Sequence, residues 1–160
     1  MGCRAVHFAV TADEATRLLN TPGVDLVDFV EEIEERWDEE WLEETDKAWD
    51  AIHRCLTDGK LEFGSSVFHK CILGDRNLNE EPDYIISFLD SADVKQVAQA
   101  IKSINKEAMK KKYDAIDTET YQGEPSDEDF EYTWESFAFL QKFFQKAAAD
   151  NRAMLFAVSQ

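Results

Sequence analysis

The chain has 160 residues, 44% of them hydrophobic and 12% aromatic, which suits one domain with one core and argues against a disordered chain. Thirty-four acidic side chains face 17 basic ones, a net charge of −17. That balance excludes free nucleic acid and anionic lipid as natural partners, because phosphates would be repelled, and it favours a basic protein.

Residues 3–10, "CRAVHFAV", read as a strand of small and branched apolar residues. The opening "MGCRAVHFAV" has no long apolar leader segment, and Val6 stands where a myristoylation motif wants Ser or Thr. Neither a secretory leader, a lipid anchor nor a transmembrane helix is expected. Cys3, Cys55 and Cys71 are odd in number and widely spaced. Reduced thiols in a cytoplasmic protein follow.

Thr11-Ala-Asp-Glu14 is a capping box, in which the Thr and Glu side chains satisfy each other's free backbone N–H groups. It opens a helix carrying Ala15, Leu18 and Leu19, which stops before Pro22-Gly23. A second helix is predicted from Val24 to Thr45. Leu26, Val30, Ile33, Trp37 and Trp41 recur at spacings of three and four and form one stripe. The same span holds eleven Asp and Glu against Arg36 alone. Glu31/Glu35, Glu35/Glu39 and Glu39/Glu43 repel at i, i+4, each by a few tenths of a kcal/mol, about 0.2–0.5.

A third helix is expected over 46–57, ended by Asp58-Gly59, and a short element over 66–73, closed by Gly74. Residues 83–89 read as a strand, 92–104 as a helix, and the segment after Asn105 as a short basic helix. Six Lys against one Glu make 95–112 locally basic. Residues 114–126 read as loop. A long helix, 127–149, starts with three carboxylates and ends with Lys142 and Lys146, as its dipole favours. The apolar run 153–158 closes the sheet beside the first strand. The fold class is α+β: one domain, residues 1–160, with a small mixed sheet including both terminal strands, flanked by several helices.

Chemistry has few candidates. His53/Cys55 and His69/Cys71 are H-x-C pairs, but two residues apart on a helix point about 200° apart, and no zinc spacing is present. No metal or cofactor is expected. G-x-S-x-G, P-loop and G-x-G-x-x-G motifs are absent. On a wheel of the third helix, Ala48, Trp49, Ile52 and Leu56 point inward, with Asp46, Asp50 and His53 on the border. One reading is an Asp–His pair lining a pocket, with Trp49 as a wall. The other is structural: Thr45 or Asp46 caps the helix, and Asp50 steadies His53.

Asp46, Lys47, Trp49, Asp50, His53, Leu56, Thr57 and Gly59 form a pattern that resembles the central signature of the YfbM-like bacterial family of unknown function. The opening Met1-Gly2, Leu18-Leu19, Cys71-Ile72-Leu73-Gly74, Phe88-Leu89 and Tyr121-Gln122 agree with the family in order, over nearly the whole chain. The loop after Gly59 is shorter, and the helix ending at Thr45 more acidic, than the family pattern suggests. The resemblance implies an α+β fold with a mixed sheet and no activity.

Two functional expectations result. The first is a non-enzymatic binding protein whose acidic surface, including Glu31, Glu35, Asp38, Glu39 and Glu43, meets a basic protein. Analogy with small acidic bacterial proteins extends this to toxin immunity. The rival is a small-molecule site or enzyme around Asp46, Trp49, Asp50 and His53.

Overall fold

The structure is a computed structural model and describes residues 4–159. Predictions that touch residues 1–3, namely the lipidation motif, Cys3 and the start of the first strand, lie outside the described residues. The elements run β1 (Ala5–Val10), α1 (Ala12–Asn20), α2 (Gly23–Arg36), β2 (Leu42–Asp46), α3 (Trp49–Leu56), α4 (Lys70–Leu73), β3 (Arg76–Asn77), β4 (Tyr84–Leu89), α5 (Ser91–Ile101), α6 (Lys106–Tyr113), α7 (Asp127–Ala149) and β5 (Ala153–Ser159).

The strand order is β2-β1-β5-β4-β3. The α+β class is as expected, and β1 and β5 pair directly along Val6–Val10. Every pairing is antiparallel, which corrects the mixed sheet. Direction is hidden in the sequence because helices cover both faces, so the central strands are apolar throughout and show no alternation. On one face Leu18, Leu26, Phe29, Val30 and Ile33 from α1 and α2 cover Val6, Phe8 and Val10. On the other, α3, α5 and α7 bury Ile52, Val97, Phe137 and Phe144 against Met154 and Phe156.

The capping box is present: Thr11 Oγ1 accepts from the Glu14 N–H, and Glu14 Oε1 accepts from the Thr11 N–H. The second helix is shorter than predicted. It stops at Arg36, where Trp37 takes a left-handed conformation with φ of 43°. A single 3-10 turn, Glu39–Trp41, follows, and Leu42–Asp46 becomes an edge strand. There Phe8 faces Leu42, and His7 faces Glu43. Strand pairing prevails because helical continuation would keep the glutamates stacked at i, i+4, whereas β2 gains a backbone ladder. Glu31, Glu35, Glu39 and Glu43 are therefore not one helical strip.

The third helix correspondingly begins at Trp49 rather than 46. Asp46 ends β2 with φ of 47°, and Ala48 precedes α3 without a side-chain cap. The 114–126 loop and the long helix from Asp127 to Ala149 fall where predicted.

Candidate functional site

The sequence-predicted cluster is dispersed by the fold. Trp49 is 4% exposed, with its ring 5.9 Å from that of Phe156. His53 is fully buried; its Nε2–H donates to the Glu62 carbonyl at 2.8 Å. Burial pushes His53 down to about 4, only partly offset by that hydrogen bond. Its ring stands edge-on to His69, 5.6 Å between centroids. Asp46 is exposed and accepts from the Tyr132 hydroxyl at 3.4 Å. Asp50 accepts from Arg54 Nε at 2.6 Å.

Arg54, which sequence reasoning passed over, organises this region. Its side chain is 3% exposed. Nη1 donates to Thr120 Oγ1 at 2.8 Å and to the Gly59 carbonyl at 3.2 Å, and Nη2 donates to the Thr120 carbonyl at 3.3 Å. Gly59 must be glycine: its φ is 86°, and a Cβ would sit 2.9 Å from the Ala115 carbonyl. Nearby, Tyr113 and Tyr121 both donate to Asp129 Oδ2, at 2.5 and 2.7 Å. Burial raises Asp50 above the usual carboxylate range; Arg54 opposes the shift and Asp129 adds to it. Arg54, held by Asp50 and bonded to Gly59, thus clasps α3 to the 114–126 loop. The i, i+4 pair Asp50/Arg54 was the available signal.

Among the described residues, no three His, Cys, Asp or Glu side chains gather to hold a metal ion. Cys55 and Cys71 are buried free thiols, and burial pushes Cys55 up to about 12.

The acidic residues spread over three elements. Glu31 and Glu35 are exposed on α2. Asp38 accepts from the Glu40 N–H at 3.2 Å and caps the 3-10 turn that holds Glu39. Glu43 is half-buried on β2, and desolvation, with the nearby Glu44 charge, raises its carboxyl. Arginines in this region pair elsewhere: Arg36 with Glu14, Arg17 with Glu32 and Arg4 with Glu44. Among the described residues, none of the five predicted partner-binding carboxylates has an ion pair. In the basic segment, Lys106 pairs with Glu131 and Lys110 with Asp114.

A cleft of about 420 Å³ lies where β1 ends, beside α1, the end of α2, the 3-10 turn and Arg152. Phe8, Val10 and Ile33 form apolar wall, while Glu14, Arg36, Asp38, Trp41 and Arg152 bring polar groups. Arg36 Nη2 donates to Glu14 Oε2 at 2.7 Å. Arg152 stacks on the Trp41 ring at 3.6 Å and donates to the Ala9 carbonyl and to Asp150. Sequence reasoning missed this cleft because positions 14, 36, 41 and 152 meet only in three dimensions. The lone Arg36 in the acidic run was its faint trace.

Among the described residues, no helix is long and apolar enough to cross a membrane. No curated protein matches the chain. A solved structure of YfbM from Escherichia coli, described as a protein of unknown function, is similar, with TM-score 0.70 and 13% identity over 97% of this chain and 99% of that one. That likeness shows a shared fold. A family described as "Domain of unknown function (DUF1877)" matches residues 1–157. The chain therefore belongs to the DUF1877 family, the YfbM-like group that its signature residues resemble.

Proposed function

We propose that this is a non-enzymatic binding protein that presents Glu31, Glu35, Asp38, Glu39 and Glu43 to a basic protein partner. The observation that carries the reading is that these carboxylates lack cationic partners among the described residues, while the arginines around them are engaged elsewhere. Uncompensated charge costs stability through self-repulsion, and a basic partner would relieve that cost while being steered in. Neutralising a basic toxin is one role that such a surface suits.

Co-purification from cell extract, followed by titration calorimetry with the captured protein, tests the reading. Binding should weaken steeply between low and high salt. The triple reversal Glu35→Lys, Glu39→Lys, Glu43→Lys should abolish it. Unchanged affinity in that variant would sink the proposal.

A further inference from the structure

We propose that the cleft at the end of β1 binds a small molecule through its carboxylate or phosphate group, with Arg36 and Arg152 as the donors. The cleft shares Asp38 with the acidic face, but its donors, Arg36 and Arg152, lie outside that face.

Glu14 is engaged: Oε1 accepts from the Thr11 N–H and hydroxyl, and Oε2 accepts from Arg36. The Thr11 contacts and Arg36 hold its carboxyl below the usual range, against the opposing effect of burial. Asp38 Oδ1 is turned to the Glu40 N–H. Each guanidinium carries five N–H groups in a rigid fork. Among the described residues, Arg36 commits only Nη2. Arg152 commits Nε and Nη1 and leaves Nη2. Against these free N–H groups the lining leaves, among the described residues, one uncommitted carboxylate oxygen, Asp38 Oδ2, so donors outnumber acceptors, the complement of an oxyanion.

The arginines differ in rigidity, and usefully so. Arg152 is 17% exposed and fixed from three sides, by the Ala9 carbonyl, Asp150 and the Trp41 ring. Lys146 reaches the same indole, 4.3 Å from its centre, and donates to the Glu40 carbonyl, which further fixes the ring. Arg36 is 55% exposed and tied only to Glu14, so it can swing onto a ligand. The backbone is also spent here. Trp37, adjacent to Arg36, adopts a left-handed conformation that non-glycine residues seldom take, and it folds Asp38 and Trp41 back toward the cleft. A volume of 420 Å³ fits a metabolite-sized ligand.

The test is an NMR titration of the full chain, following the Arg Nε–H and Trp41 indole N–H signals, with inorganic phosphate, succinate and AMP as separate probes. At least one probe should give saturable shifts confined to Arg36, Arg152 and Trp41; the tightest binder tells phosphate from carboxylate chemistry. Arg36→Gln should weaken that probe at least tenfold with an unchanged melting temperature. Glu14→Gln should instead tighten it, because Gln preserves the capping box and releases the Arg36 fork. Arg76→Gln, on β3, should change nothing. Linear shifts spread over all surface cations, or weaker binding in Glu14→Gln, would overturn the proposal.

Discussion

Arg54 and Asp50, one helical turn apart on α3, form an ion pair at 2.6 Å with side chains only 3% and 16% exposed. The pair is also a spacer: through Arg54, α3 is bonded to Gly59, Asp117 and Thr120. Removing one partner of such a pair leaves a desolvated charge and several orphaned acceptors.

Arg54→Met is therefore expected to cost about 3–5 kcal/mol in urea unfolding, the range for breaking a buried pair. Asp50→Asn should cost less, since burial already disfavours its charge. A smaller loss from Arg54→Met than from Asp50→Asn would show that the clasp depends on the carboxylate instead.

Acid stability should report two buried imidazoles. Burial pushes His7 and His53 down to about 4, with hydrogen bonds to the Cys71 and Glu62 carbonyls opposing it. The folded state thus holds both neutral, and the unfolded state takes up protons first. Their contribution is complete above pH 6.5 and drains away as pH falls toward 4, by about 3 kcal/mol each. Glu34, Glu43 and Asp50 are raised by burial, so they act with the opposite sign and gain as pH falls through the carboxylate range. Unfolding free energies from pH 7 to 4 should fall, and His53→Gln should flatten the slope even as it lowers stability at pH 7.

Charge crowding on α2 is measurable without a partner. Glu31 and Glu35 are exposed one turn apart, with no ion pair among the described residues. Glu35→Gln should stabilise the fold by about 0.2–0.5 kcal/mol at low salt, and the gain should vanish at 1 M salt. A gain that persists in salt would assign the effect to helix propensity.

Asp46 offers a backbone test at a sequence-predicted site residue. It is exposed, left-handed at φ of 47°, and held by one long contact to Tyr132. Asp46→Gly should raise stability by up to about 1 kcal/mol, some 2–4 °C in melting temperature. If Asp46 contacts a ligand, the same variant lowers affinity, so one protein reports both.

Local signals in the sequence were readable wherever neighbouring residues decide the outcome. Thr11 and Glu14 announce α1 from four residues, and the three carboxylates before Phe130 with the late lysines announce α7. β2 escaped detection because Trp37 and Trp41 are four apart, the spacing of a helical stripe, although one sits at a helix end and the other in a 3-10 turn. Only β1, 30 or more residues earlier, makes Leu42–Asp46 a strand. His53 was placed on a border by its wheel angle, but the 58–69 segment folds over that border and buries it. Wheels see one helix, whereas burial depends on what returns to cover it.

β2 closes one side of the sheet, so among the described residues its outer backbone has no neighbouring strand. Such a rim is a template for other chains, and natural proteins guard it with charge. Glu43 and Glu44 are the sentries here, and Glu43, with its raised carboxyl, loses its charge early as acid is added. Mild acidification should therefore unmask the rim while the fold is still intact, and association along β2, detected by light scattering, should precede unfolding. Glu43→Gln should move that onset toward neutral pH, with Glu44 and Asp46 left as the remaining carboxylates on the strand.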